Sequence, residues 1–347
     1  MPDALKDLRF LLALSVAALP VAGYLRGDNF HALIVAFGLI PLLDWMIGRD
    51  ARPASTHELE RLESSALFRA ILVAYVPLHL ALIIWGARVA GSGELSALQS
   101  LGLMLSVGVV TGAQGITIAH ELGHKRSALD RLLARVLLVT VSYGHFTIEH
   151  NRGHHVRVAT PEDPASARYG ESFWAFLPRT LAGSYTHAWR LELERMRHIG
   201  APAWSWRNHM LWYTGLPPAI ALALAMAFGA GAALFFFVQS AMAMILLEAV
   251  NYIEHYGLAR ARGADGRYEA FNERHAWDAD NRLTNAILVH LPRHADHHLA
   301  PTRPYQALQP RAGSPKLPSG YAAMLPLALV PSLWFRVVNP RLPRRGA

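Results

Sequence analysis

Hydrophobic and polar positions along this chain fall into long blocks, not into the short periods of a soluble fold. Six apolar blocks stand out, at about 8–25, 30–48, 68–89, 96–119, 211–229 and 232–250. Each approaches the roughly 20 residues that carry a helix across about 30 Å of hydrocarbon, so each predicts a transmembrane helix. The first holds Pro20 and the fifth holds Pro217 and Pro218, which membrane helices accommodate when neighbours satisfy the freed carbonyls. Two further apolar stretches predict no crossing. The stretch 136–146 is too short, and crossing would carry His150 to the face opposite His124. The stretch 321–335 is broken by Pro326 and Pro331. Both are expected to lie at the interface or to pack on the polar part of the chain. The predicted fold is an all-α integral membrane protein with six transmembrane helices. Segments 120–210 and 251–347 form a helical cap, and the whole of 1–347 forms one domain.

Charge adds an orientation. With six spans, 31 of the 33 Lys and Arg residues fall on one face, and only Arg26 and Arg88 fall on the other. Lys6, Arg9, Arg341, Arg344 and Arg345 belong to the majority, so both termini and the cap are predicted to be cytoplasmic. The net charge of +8 therefore reads as membrane topology and not as a nucleic-acid footprint. No cleavable signal peptide is expected, because the first apolar block follows only Lys6 and Arg9 and lacks a small-residue cleavage site. Charged residues make up 17% of the chain, against about 25% for soluble domains, which agrees with a membrane protein. The chain has no cysteine, so disulfides, iron–sulfur clusters, haem-thiolate ligation and a fused rubredoxin are excluded.

Histidine changes the picture most. Of 18 histidines, nine sit in four clusters, all on the face assigned cytoplasmic from charge alone. His120 and His124 end the fourth apolar block at i, i+4 spacing, which puts both imidazoles on one helix face about 6 Å apart. His150 and His154 repeat that spacing, with His155 adjoining. His255 follows the sixth block, and His294, His297 and His298 form the last cluster. Nine imidazoles exceed the three or four ligands of a tetrahedral zinc. They suit two iron ions of five- or six-fold coordination with positions left for oxygen. Glu121, Glu149, Glu254 and Asp296 accompany the clusters, and each is expected to accept the second N–H of a ligating imidazole. His145, His275 and His290 border the clusters and are candidates for the same supporting role. The remaining histidines, among them His79 and His187, read as packing or surface residues.

The strings HELGHK (120–125), EHNRGHH (149–155), NYIEHYGL (251–258) and LPRHADHH (291–298) closely resemble the integral-membrane alkane hydroxylases. Tyr143-Gly144-His145-Phe146, the segment 159–165, the segment 301–306 and Pro41-Leu42-Leu43-Asp44 extend the likeness over about 30–340. The resemblance implies six transmembrane helices and a cytoplasmic non-haem diiron centre in the bacterial inner membrane. It implies hydroxylation of n-alkanes to 1-alkanols with O2. Electrons would come from rubredoxin, which is served by rubredoxin reductase and NADH. Carried over position by position, the ligands would be His120, His124, His150, His154, His155, His255, His294, His297 and His298. Bulk in the second span limits chain depth in that family, so Ala36 and Phe37 are expected to line the substrate channel, with Ala36 leaving room for longer chains.

Other readings differ in what they leave unexplained. A related membrane desaturase, fatty-acid hydroxylase or aromatic side-chain monooxygenase would share the histidines and differ in the pocket. An intramembrane zinc protease would use His120-Glu121-Leu122-Gly123-His124 as H-E-x-x-H, with Glu121 as base, and would leave seven clustered histidines idle. A metal transporter would want more polar residues within the spans than Asp44, Gln114, Gln239 and Glu248.

Overall fold

The computed structural model describes residues 7–343. Lys6, Arg344 and Arg345, counted above toward orientation, lie outside the described residues. The fold is helical, and its only β pairing among the described residues is three isolated bridges. Among the described residues five helices are long and apolar enough to cross a membrane: α1 (Leu8–Leu25), α3 (Ala66–Gly91), α4 (Ala97–Gly123), α8 (His209–Phe228) and α9 (Ala230–His255). The predicted second span is the shorter apolar helix α2 (His31–Ile47). It ends at Gly48, whose φ of 82° suits a residue without a Cβ. The bundle's outer surface keeps the apolar side chains expected against lipid, including Leu25, Ile34, Trp45, Ile84, Leu222, Met226 and Leu234.

α4 is the axis of the bundle: 83% of its apolar window is buried, against 17% for α8. Small residues let α9 approach it closely. A Cβ on Gly108 would meet Met242 Cβ at 2.6 Å, and one on Gly112 would meet Ala243 Cα at 2.7 Å. Polar side chains fasten the same seam, with the Thr111 hydroxyl donating to Gln239 Oε1 at 2.9 Å and Gln239 Nε2 donating to Thr140 O at 2.9 Å. Glu248 accepts from Tyr143, Thr180 and Asn251, so this buried carboxylate is fully engaged. α4 begins on a capping box in which Ser96 and Gln99 bond reciprocally. α8 runs through Pro217 and Pro218 without a break and gives way to α9 at Gly229, with φ of 93°.

The other helices sit at the ends of the spans: a short helix at Thr56–Ser64 between α2 and α3, then α5 (Ala128–Val139), α6 (146–157), α7 (Phe173–His198), α10 (Arg282–Ile287), α11 (His294–Leu299), α12 (Tyr321–Ala328) and α13 (Pro331–Val338). Neither apolar stretch denied a crossing forms a spanning helix. The first is the end of α5 and a turn through Ser142 at φ of 57°, and the second splits into α12 and α13. Membrane helices and end helices share their cores. Phe10, Phe68, Leu137 and Tyr305 belong to one apolar cluster, and Tyr252, Trp277, Tyr321 and Trp334 to another. Asp44 on α2 accepts from the Thr284 backbone N–H at 3.0 Å and from its hydroxyl, which ties α2 to α10.

Candidate metal centre

Every histidine of the four clusters points into one buried space where α4, α6, α9 and α11 meet. The nine fall into two groups, and within each group one ring nitrogen per residue lies within 4.8 Å of all the others. The first group is His120, His124, His150, His155 and His297, and the second is His154, His255, His294 and His298. The groups adjoin, since the rings of His155 and His298 are 4.5 Å apart and those of His154 and His298 are 5.0 Å apart.

The second cluster divides between the groups, although i, i+4 spacing predicted that His150 and His154 would pair. Residues His150–His154 form a π-helical turn, wider than an α-turn, and this brings His155 at i+5 alongside His150. Their Nε2 atoms are 3.0 Å apart, while His154 faces the other group. α11 divides likewise, with His294 and His298 together at i, i+4 and His297 across from them.

The donor set fits metal ions on the structure's own terms. His255 Nε2 and His298 Nε2 both point at His294 Nε2, at 3.0 and 2.9 Å, yet one ring nitrogen offers only one N–H or one lone pair. His120 Nε2 and His154 Nε2 are buried with no hydrogen-bond partner. Nitrogens converging in this way are satisfied together by a cation, not by one another. Burial first, and then the neighbouring imidazoles, push His150, His155, His294, His297 and His298 well below the usual histidine range. Burial also brings His124 down to about 4. They are therefore neutral, which is the ligating form.

An apolar cavity ends on the same histidines. Its empty space is about 1060 Å³, its open mouth included, and it runs between α1, α2, α4 and α9 to His120, His150 and His294. Ala36 and Phe37 line it from a π-helical turn in α2, Val35–Leu39. A second π-helical turn, Thr111–Ile116 in α4, lines it opposite α9.

Comparison with known proteins agrees with this site. A fatty acid desaturase family model matches residues 96–327. Alkane 1-monooxygenase 2 of Pseudomonas aeruginosa is 46% identical over 310 residues, covering 89% of this chain and 82% of the relative. Alkane 1-monooxygenase 1 of the same organism is 43% identical over 341 residues, 96% of this chain and 88% of the relative. The alkane 1-monooxygenase of Pseudomonas putida is 40% identical over 316 residues, 90% of this chain and 78% of the relative. The chain belongs to the alkane 1-monooxygenase family.

In this member of the family the supporting groups differ from those expected. Of the four carboxylates, Glu254 alone stands beside a clustered ring, 3.3 Å from His294 Nδ1, while it accepts from the Tyr321 hydroxyl at 2.9 Å. Glu121 instead accepts from the Tyr305 N–H at 3.1 Å and pairs with Lys125. Glu149 faces His187 Nδ1 at 3.1 Å, and Asp296 is held by Arg303 and Arg311. Proximity in sequence therefore misassigned three of the four, because on a helix the adjacent residue points to a different face. His145 stacks on Tyr143 and Tyr185, and His290 bonds Tyr305 O at 3.0 Å and packs on Phe10, so neither bonds a clustered ring.

Two other groups stand behind clustered rings: Asp163, which sequence reasoning missed, and His275, a candidate that acts through a different atom. Asp163 Oδ2 lies 2.9 Å from His154 Nδ1 and also accepts from the Ser166 hydroxyl. Burial alone would raise the Asp163 carboxyl, but the His154 ring and these hydrogen bonds hold it below the usual range. His275 contributes through its backbone, since His255 Nδ1 lies 3.2 Å from its carbonyl, while its own ring bonds Glu269 and the Asn272 N–H. An Asp-Pro pair nine residues after His154 was the available signal for Asp163.

Proposed function

We propose that this protein is a non-haem diiron monooxygenase that hydroxylates the terminal carbon of n-alkanes to 1-alkanols. The observation that carries the reading is an apolar cavity closed at one end by two groups of converging histidines. The family's named relatives supply the activity. His120, His124, His150, His155 and His297 would hold one iron, and His154, His255, His294 and His298 the other. Two iron ions there would supply the reductive activation of O2. The protein's own part is binding and aim. An alkane has no polar handle, so its affinity comes from burial, about 0.8 kcal/mol per CH2. The cavity runs lengthwise between helices, so a chain enters end-first and presents its terminal methyl to the histidines. Among the described residues no Lys or Arg lines the cavity, which favours a neutral chain over an acyl carboxylate. The zinc-protease reading is disfavoured because the Glu121 carboxylate is tied to Lys125 and Tyr305.

The same reading takes α2 as a short sixth span and the end helices as one cytoplasmic cap at the inner membrane of a bacterium, within a single domain. Rubredoxin, an acidic carrier on this reading, would dock on the basic cap, and raising ionic strength would then slow turnover at limiting rubredoxin. The deciding experiment measures metal per chain in detergent-purified protein, together with octane oxidation by rubredoxin. Two irons are expected. His297→Ala and His298→Ala, one from each group, should each lose metal and octanol formation. A single zinc that survives both substitutions would overturn the assignment.

A further inference from the structure

Apart from the clustered histidines at its closed end, the polar groups that line the cavity are nearly all engaged. The Thr117 hydroxyl donates to Ala113 O at 2.6 Å, Asn251 donates to Glu248 at 3.1 Å, Glu254 accepts from Tyr321, and Thr284 donates to Asp44. Gln114 is the exception. It is 1% exposed, it lines the cavity from the π-helical turn Thr111–Ile116, and neither its Nε2 nor its Oε1 has a hydrogen-bond partner. A buried amide with both ends unsatisfied is costly. An alkane, which can neither donate nor accept, gives it no relief.

The chemistry of the missing partner can be narrowed. It must accept from the amide N–H and donate to the amide oxygen at one small site within apolar walls. A carboxylate only accepts and an ammonium only donates, and both would bring an unpaired charge into the cavity. A hydroxyl does both on a single oxygen and is neutral. We propose that Gln114 is a binding site for the hydroxyl of a long-chain primary alcohol, so that the channel holds 1-alcohols as well as alkanes. The inference rests on the reading of the cavity as an alkane channel and adds a second ligand class to it. Gln114 lies six residues before His120 on the same helix, about 9 Å along its axis at 1.5 Å per residue. A hydroxyl formed at the histidine end therefore has a polar station on its way along the channel, and the product alcohol competes there with incoming alkane.

The test is equilibrium binding of radiolabelled 1-octanol and octane to purified protein without reductant, each corrected for its partition into detergent. Gln114→Met keeps the length of the side chain and removes both amide groups. The variant should weaken octanol about tenfold relative to octane, and an unchanged ratio would overturn the proposal and leave a water as the amide's partner. Should Gln114→Met fail to fold, wild type decides through 1-methoxyoctane, which accepts but cannot donate. Octanol is expected to bind several-fold tighter than this ether, and parity would overturn the proposal. Failure of octane itself to bind would bring down the channel reading, and this inference with it.

Discussion

The two histidine groups are built from the same residue type and adjoin one another, yet they are held differently. In the four-histidine group two rings are hydrogen-bonded to an oxygen behind them, His154 to Asp163 and His255 to the His275 carbonyl, and His294 has Glu254 beside it at 3.3 Å without a hydrogen bond. In the five-histidine group the ring hydrogen bonds described run only between histidines, and an apolar face does the holding, with Phe146 stacked on His150 at 4.6 Å. All of the four are buried, whereas His124 and His155 of the five are only partly so. An oxygen behind a ring fixes its tautomer and raises its basicity, and a phenyl face does neither. The difference teaches that clusters made of one residue type can be braced unequally.

Breaking the bracing should have the largest effect. Asp163→Asn is expected to lower metal affinity at the four-histidine group by about 10–100-fold, through loss of a charged partner for His154. Competition with a chelator of known affinity would show it, and equal weakening of both groups would mean that the bracing is not local. Glu254→Gln should act in the same direction and more weakly, because its approach to His294 is 3.3 Å and it keeps Tyr321 as a partner. In the unaltered protein, chelation should proceed in two phases, the faster from the five-histidine group with its accessible His124 and His155. A single phase would erase the contrast.

His145, near the five-histidine group but outside it, supplies an acid response. Burial brings its pKa down to about 4 from the ordinary 6.5. Between those values the unfolded chain binds a proton that the folded chain refuses, so stability is complete above pH 6.5 and falls as pH drops toward 4. At pH 5 the loss is about 2 kcal/mol, and His145→Phe should remove it in thermal unfolding compared at pH 7 and pH 5. The smallest expected effect lies at the far end of the cavity. Ala36→Trp should shorten the preferred alkane by a few carbons without moving either metal, and an unchanged chain-length profile would remove Ala36 from the channel.

The apolar blocks and the identity of the nine histidines were legible because each rests on local spacing. The partition of the histidines was not, because a single π-helical turn at His150–His154 re-aims His155 and no periodicity announces it. The helix ends were legible to within a few residues, but α2 stops at Gly48 as a shorter helix than its neighbours. Asp163 was hidden for a different reason. Its partner is nine residues away across a turn, while the nearer Glu149 and Glu121 are drawn to His187 and Lys125. Contacts made on folding, not adjacency in the chain, chose the carboxylate.

All three π-helical turns among the described residues, Val35–Leu39, Thr111–Ile116 and His150–His154, border the cavity. Each amounts to one surplus residue threaded into an otherwise regular helix. Excising that residue from Thr111–Ile116 would let the turn relax to α geometry with both flanks of α4 in place, whereas excising one from a regular stretch of α4 would turn everything beyond it by about 100° and swing His120 and His124 out of the centre. These three short stretches therefore work as slack in the chain, each taking up a residue at the cavity wall while its helix keeps its rotational phase against the others.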